Sequence, residues 1–232
     1  MTGDAMTGLR RTAITILSVL GIGLLGACVT IPPTPLTLAS AKTLKLDAVT
    51  VTVAPDAQIA WANVEHEYAG KRRQAGTMPK TKITETASIG MASDPNAADS
   101  AAISELMKTP EAQNYVRDRI SGGLKSALEK TLQPEFRDGE RATRLEVTVK
   151  MFSIPSAVER VIVGGAPMIV ASAALKDAKT GEVLAERKDM PALGFALNGW
   201  AGVMADQLGD DLDVRVVGSY SQQFKDWLVP KA

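Results

Sequence analysis

Hydrophobic and polar positions alternate with period two in several stretches of this chain and recur near every fourth residue in others. Leu44 to Val53 is the first strand candidate: Val49, Val51 and Val53 alternate with Thr50 and Thr52, so β-branched residues stand on both faces. Pro55 is expected to end it. Arg144 to Phe152 is the clearest strand, with Leu145, Val147, Val149 and Met151 on one side and Glu146, Thr148 and Lys150 on the other. One dry face and one wet face mark an antiparallel sheet. Val158 to Val163, followed by Gly164-Gly165, predicts a further strand, and Met168 to Asp177 another. Asp177 to Gly181 then forms a turn with glycine where a left-handed conformation is needed, and Glu182 to Arg187 returns as the hairpin partner.

The clearest helix runs from Pro110 to Leu132. Thr109 can cap it, Pro110 suits the first turn, and Glu111 sits at the positive end of the dipole. Val116, Ile120, Leu124, Leu128 and Leu132 form one apolar stripe built to lie across a sheet. Gly122-Gly123 inside it costs about 1 kcal/mol per residue against alanine, which predicts close packing against a strand. After Pro191 the pattern is helical again, first over Asn198 to Gln207. A second segment, opened by Asp210 and Asp211, carries Leu212, Val216, Tyr220, Phe224 and Trp227 or Leu228 at helical spacing, and Pro230 ends it. Residues 58–69 fit a short helix or a strand equally, and residues 70–109 read as a long mobile loop. The predicted fold is a single α+β domain, an antiparallel sheet of four to six strands with helices packed on one face.

The amino terminus follows another grammar. Arg10 and Arg11 precede about fourteen uncharged, mostly apolar residues, then small residues, then the only cysteine. That is the order of a secretory signal peptide. Leu25, Gly26, Ala27 and Cys28 resemble the lipobox of bacterial lipoproteins. The resemblance implies signal-peptidase recognition through Leu25, Gly26 and Ala27, cleavage before Cys28, and lipidation of Cys28, with palmitate among the acyl chains. A membrane-spanning segment fits less well, because a span needs roughly 20 apolar residues and the proline-rich run at 31–35 would not continue a helix. The expected organisation is a signal peptide at 1–27, a lipidated cysteine and proline-rich tether at 28–42, and a periplasmic domain at 43–232. Val29 stands where such lipoproteins carry aspartate when they stay at the inner membrane. The resemblance therefore implies the periplasmic face of the outer membrane.

Charge narrows the partners. The chain has 26 basic and 26 acidic residues, so no global field gathers nucleic acid. The small basic cluster Lys71, Arg72 and Arg73 reads as a solvated face. With one cysteine, no intrachain disulfide can form.

Candidate chemistry is sparse. His66 is the sole histidine, flanked by Glu65 and Glu67, and no G-x-S-x-G elbow occurs. Zinc would need Cys and His clusters. Asp210, Asp211 and Asp213 lack the spacing of a calcium loop and read as helix N-terminal carboxylates. No catalytic residue, metal ligand or cofactor is assigned.

The run Arg160 to Leu184, RVIVGGAPMIVASAALKDAKTGEVL, resembles a segment of small alphaproteobacterial lipoproteins in which a glycine pair precedes an apolar strand and a D-A-x-T-G-E-x-L hairpin. The resemblance extends through the C-terminal helices and implies no particular activity. The function expected is that of a non-catalytic, lipid-anchored envelope protein that binds another envelope protein or assembles with itself. The alternative is a binding module for a lipid or small apolar ligand, with a Val- and Leu-lined cavity between the sheet and the 110–132 helix, serving a transport system.

Overall fold

The computed structural model describes residues 33–78, 97–156, 165–194 and 212–229. Four strands, β1 (Leu44–Trp61), β2 (Arg141–Ile154), β3 (Met168–Asp177) and β4 (Val183–Leu193), lie side by side in that order. β2–β3 and β3–β4 pair antiparallel, but β1 pairs parallel with β2, so the sheet is mixed rather than wholly antiparallel as expected. The alternation that suggests an antiparallel sheet reports which face is buried, not the direction of the neighbour. Parallel neighbours need a long crossover, and α2 (Ala62–Gln74), α3 (Ala97–Met107) and α4 (Pro110–Leu132) supply it. The α+β character, the single domain and the strand number stand as predicted.

Helices α4 and α5 (Leu212–Leu228) pack on each other, α4 against β1 and α5 against β3 and β4. The stripe of α4 is buried as its spacing predicts, with Leu124 and Leu128 fully covered. Each such side chain contributes roughly 1.5–3 kcal/mol of burial. On α5, Leu212, Val216, Tyr220, Phe224, Trp227 and Leu228 face the same core. Tyr220 donates its hydroxyl to the carbonyl of Ala171 on β3 at 3.3 Å, and burial pushes its phenol well above the usual tyrosine range.

Several boundaries differ from expectation, each for a local reason. In β2 the register slips between Val149 and Met151, so Phe152 and Ile154, rather than Met151, continue the buried side. β1 does not stop at Pro55. Its pairing with β2 slips between Val53 and Gln58 and resumes to Trp61. Proline is tolerated there because an irregular edge segment has no ladder bond to lose at that position. Arg117 of α4 secures this irregularity, donating to the carbonyls of Val53 (3.2 Å), Ala54 (2.6 Å) and Pro55 (2.9 Å).

The 28–42 tether is shorter than predicted, because Leu38–Thr43 forms α1. Thr37 and Ser40 cap it reciprocally, and Leu36 and Ala41 join the core. The 70–109 loop also shrinks, since α2 and α3 occupy both of its ends and meet over Ala69, Met78 and Ile103. Residues 79–96 lie outside the described residues, as do the strand predicted at Val158 to Val163 and the helix predicted at Asn198 to Gln207. After Pro191 the chain is still strand, to Leu193.

The β3–β4 hairpin is held by Asp177. Its carboxylate accepts from Arg141 (2.7 Å) and from the backbone N–H groups of Lys179 and Thr180 (both 2.8 Å). Those donors, the Arg141 guanidinium first, hold its carboxyl far below the usual carboxylate range. Gly181 takes the left-handed conformation, φ +76°, that the turn requires.

Candidate functional site

Leu25, Gly26, Ala27 and Cys28, the residues the lipobox singles out, lie outside the described residues, as do Asp210 and Asp211. His66 is exposed on α2. The neighbouring basic cluster is largely engaged. Lys71 bonds Glu67 (2.9 Å) and the Tyr115 hydroxyl (2.5 Å), and Arg73 pairs with Asp99. Tyr115 donates to Glu67 at 2.7 Å. Lys71 and Tyr115 together lower the Glu67 carboxyl below its ordinary value. This corner ties α2 to α4; it offers no row of free cations. Among the described residues, no group of three or more His, Cys, Asp or Glu side chains could hold a metal ion.

The cavity predicted between the sheet and α4 is filled. Ile120, Leu124 and Leu128 pack into the main core with Val147, Val149 and Ile169, all at most 1% exposed. Gly122 and Gly123, expected to pack against a strand, are exposed, and a Cβ at either would meet open space. Gly123 borders instead a groove of about 600 Å³ between α4 and α5. Its floor includes Trp61 and Phe152, whose ring centroids lie 5.1 Å apart. Gly218 on α5 also lines the groove, again with open space where a Cβ would stand, while Lys130 and the Lys225–Glu135 ion pair (2.7 Å) edge it. An aromatic floor with a charged rim can take an amphipathic molecule. It is not the predicted Val- and Leu-lined cavity.

The other candidate surface is the sheet itself. On the side away from α4 and α5, Glu146 pairs with Lys176 (2.5 Å) and Arg144 (3.1 Å), and Lys150 with Asp189 (2.5 Å). Thr50 and Thr52 stand exposed on β1. Among the described residues β1 and β4 are the outer strands, and they differ sharply. β4 carries Pro191, exposed Glu186 and Lys188, and Asp189 at φ +47°, all devices that discourage strand addition. From Ala48 to Val53, β1 carries neither charge nor proline. No pattern in the sequence marks which strand is outermost, so this asymmetry is visible only once the sheet order is known.

Comparison with solved structures finds partial likenesses. PelC from Paraburkholderia phytofirmans, crystallised as a dodecamer, is 11% identical, with 86% of this chain and 94% of that chain covered at a TM-score of 0.35. Lipoprotein GNA1162 from Neisseria meningitidis is 15% identical, covering 71% and 94% at 0.24. A Caulobacter crescentus CB15 chain regarded as a lipoprotein is 18% identical, covering 46% and 78% at 0.27. At these scores none of them carries an argument about function. No match is found among curated proteins. One family model matches residues 117–232, half of the sequence, from the middle of α4 through β2, β3, β4 and α5. On that match, the chain belongs to the Family of unknown function (DUF6778).

Proposed function

We propose that this chain is a non-catalytic, lipid-anchored protein of the bacterial cell envelope that works by binding another envelope protein or by assembling with itself. The observation that carries the reading is Leu25-Gly26-Ala27-Cys28 at the end of a charged and then apolar leader. The short tether supports it. Because Leu36 is already in the core, only the seven residues 29–35 separate Cys28 from the folded domain. Fully extended they reach roughly 25 Å, which holds the domain close to the bilayer surface. Several acyl chains on one cysteine anchor stably where a single chain would not, so the domain needs no membrane-spanning element. Val29 favours the outer membrane, with the domain in the periplasm.

Crosslinking in intact envelopes, wild type against Cys28→Ala, tests the role. The account expects a protein partner, or a second copy, captured by the anchored form and lost from the variant. Identical capture by both forms would remove the anchor from the function.

A second reading rests on the α4–α5 groove: a site for a lipid or small amphipathic ligand. Trp61 on its floor is a natural reporter. Lipid that shifts tryptophan emission in the parent, but neither in Trp61→Phe nor when Gly123→Leu fills the groove, would favour this reading.

A further inference from the structure

We infer that the outer edge of β1 docks the β1 edge of a second copy, antiparallel and centred on Val51, so that two four-stranded sheets join into one. This deepens the self-assembly part of the proposed function by naming the partner and the surface. The first ground is the asymmetry of the sheet. β4 is defended by a proline, a left-handed bulge residue and charges, whereas Ala48 to Val53 of β1 is a regular, uncharged, β-branched edge. Soluble proteins normally blunt such edges, and an edge left unblunted beside a blunted one is a docking strand.

The second ground is the sequence of that edge. Ala48-Val49-Thr50-Val51-Thr52-Val53-Ala54 reads identically in both directions. Antiparallel pairing about a twofold axis through Val51 places Val49 opposite Val53, Thr50 opposite Thr52 and Val51 opposite itself. Like then meets like on each face, and the twofold axis makes each pair off the axis twice, as in any isologous interface. Valine–valine and threonine–threonine neighbours are favourable cross-strand pairs. Burial agrees: Val49 is covered within one copy, while Val51 and Val53, on the same face, are only half-buried against the core. A second strand would complete their cover. Arg117 bonds the carbonyls of Val53, Ala54 and Pro55, most closely those of Ala54 and Pro55, and so ends the free edge just beyond Val53. The resulting pairing is short. Two copies anchored to one membrane would meet at a high effective concentration, which compensates for a weak contact.

Cysteine trapping in the full chain tests this, in a Cys28→Ala background that leaves the introduced thiol alone. Directly opposed residues of an antiparallel pair have Cα atoms about 4.5–5.5 Å apart, within the reach of a disulfide. Val51→Cys is therefore expected to give a covalent dimer under mild oxidation at high protein concentration. Thr50→Cys, whose own mate is offset along the strand, and Glu186→Cys on β4 should stay largely monomeric. Adding Thr52→Lys to Val51→Cys should cut the dimer yield several-fold. If Val51→Cys does not fold, the double variant Thr50→Cys/Thr52→Cys, at two exposed positions, gives the same readout. A folded Val51→Cys that remains monomeric, or equal crosslinking at all three positions, overturns the inference. Because this background lacks the anchor residue, either failure concerns the edge alone and leaves the lipidation proposal to its own assay.

Discussion

At the scale of single residues, Asp177 shows how one side chain can set a local structure. It joins Arg141 on β2 to the turn between β3 and β4 through three hydrogen bonds. Its folded-state pKa is depressed, so its contribution to stability is full above the unfolded-chain value near 4 and is lost as pH falls. Glu67, Glu146 and Asp189 are shifted in the same direction, by Lys71, Lys176 and Lys150 first. Thermal melts are therefore expected to fall below about pH 4, and Asp177→Asn should flatten that fall while lowering the melting temperature at pH 7. An unchanged acid profile in Asp177→Asn would mean that the carboxylate is not the linkage site. Gly122 and Gly123 make the opposite prediction. Both are exposed in the interior of α4 with open space around a Cβ, so alanine at either should stabilise the fold by about 0.5–1 kcal/mol, measured by urea unfolding. Destabilisation at Gly123 instead would show that it answers to a contact in the groove.

At the scale of elements, the sequence is informative where one periodicity runs unbroken. The stripe of α4, apolar at every fourth residue and capped by Thr109 with Pro110 behind it, gives both ends of the helix, and the stripe of α5 gives most of its buried residues. Replacing Leu124 by alanine should cost about 2–5 kcal/mol, by creating a cavity where α4 crosses the sheet. Legibility fails where pairing breaks stride. The slips at Met151 and at residues 54–57 reverse or suspend the alternation without any change of residue type, so Pro55 reads as an end where it is an irregularity. The Arg117 clamp joins positions more than sixty residues apart, which no local pattern encodes. Removing it with Arg117→Ala should cost about 1–3 kcal/mol and expose the middle of β1 to hydrogen exchange, while β3 stays protected. Strand direction is unreadable for a related reason: the crossover that makes β1 parallel passes through α2 and α3, whose apolar patterns are weak. The groove is equally hidden, because Trp61, Gly123 and Gly218 come from three separate elements.

At the scale of the whole molecule, the account is of a folded domain tied closely to a membrane by chemistry at its leader. The folded part begins at Leu36 and Thr37, and among the described residues no helix is long and apolar enough to cross a membrane. Attachment in this account is assigned to Cys28. The measurement that tests it most directly is the intact mass of the full chain expressed in a two-membraned bacterium and extracted from its membranes. The account predicts a polypeptide beginning at Cys28 and carrying a diacylglyceryl group with a further acyl chain. It also predicts that Cys28→Ala neither gains that mass nor is cleaved before residue 28. A membrane-bound chain that retains residues 1–27 and bears no lipid would contradict it.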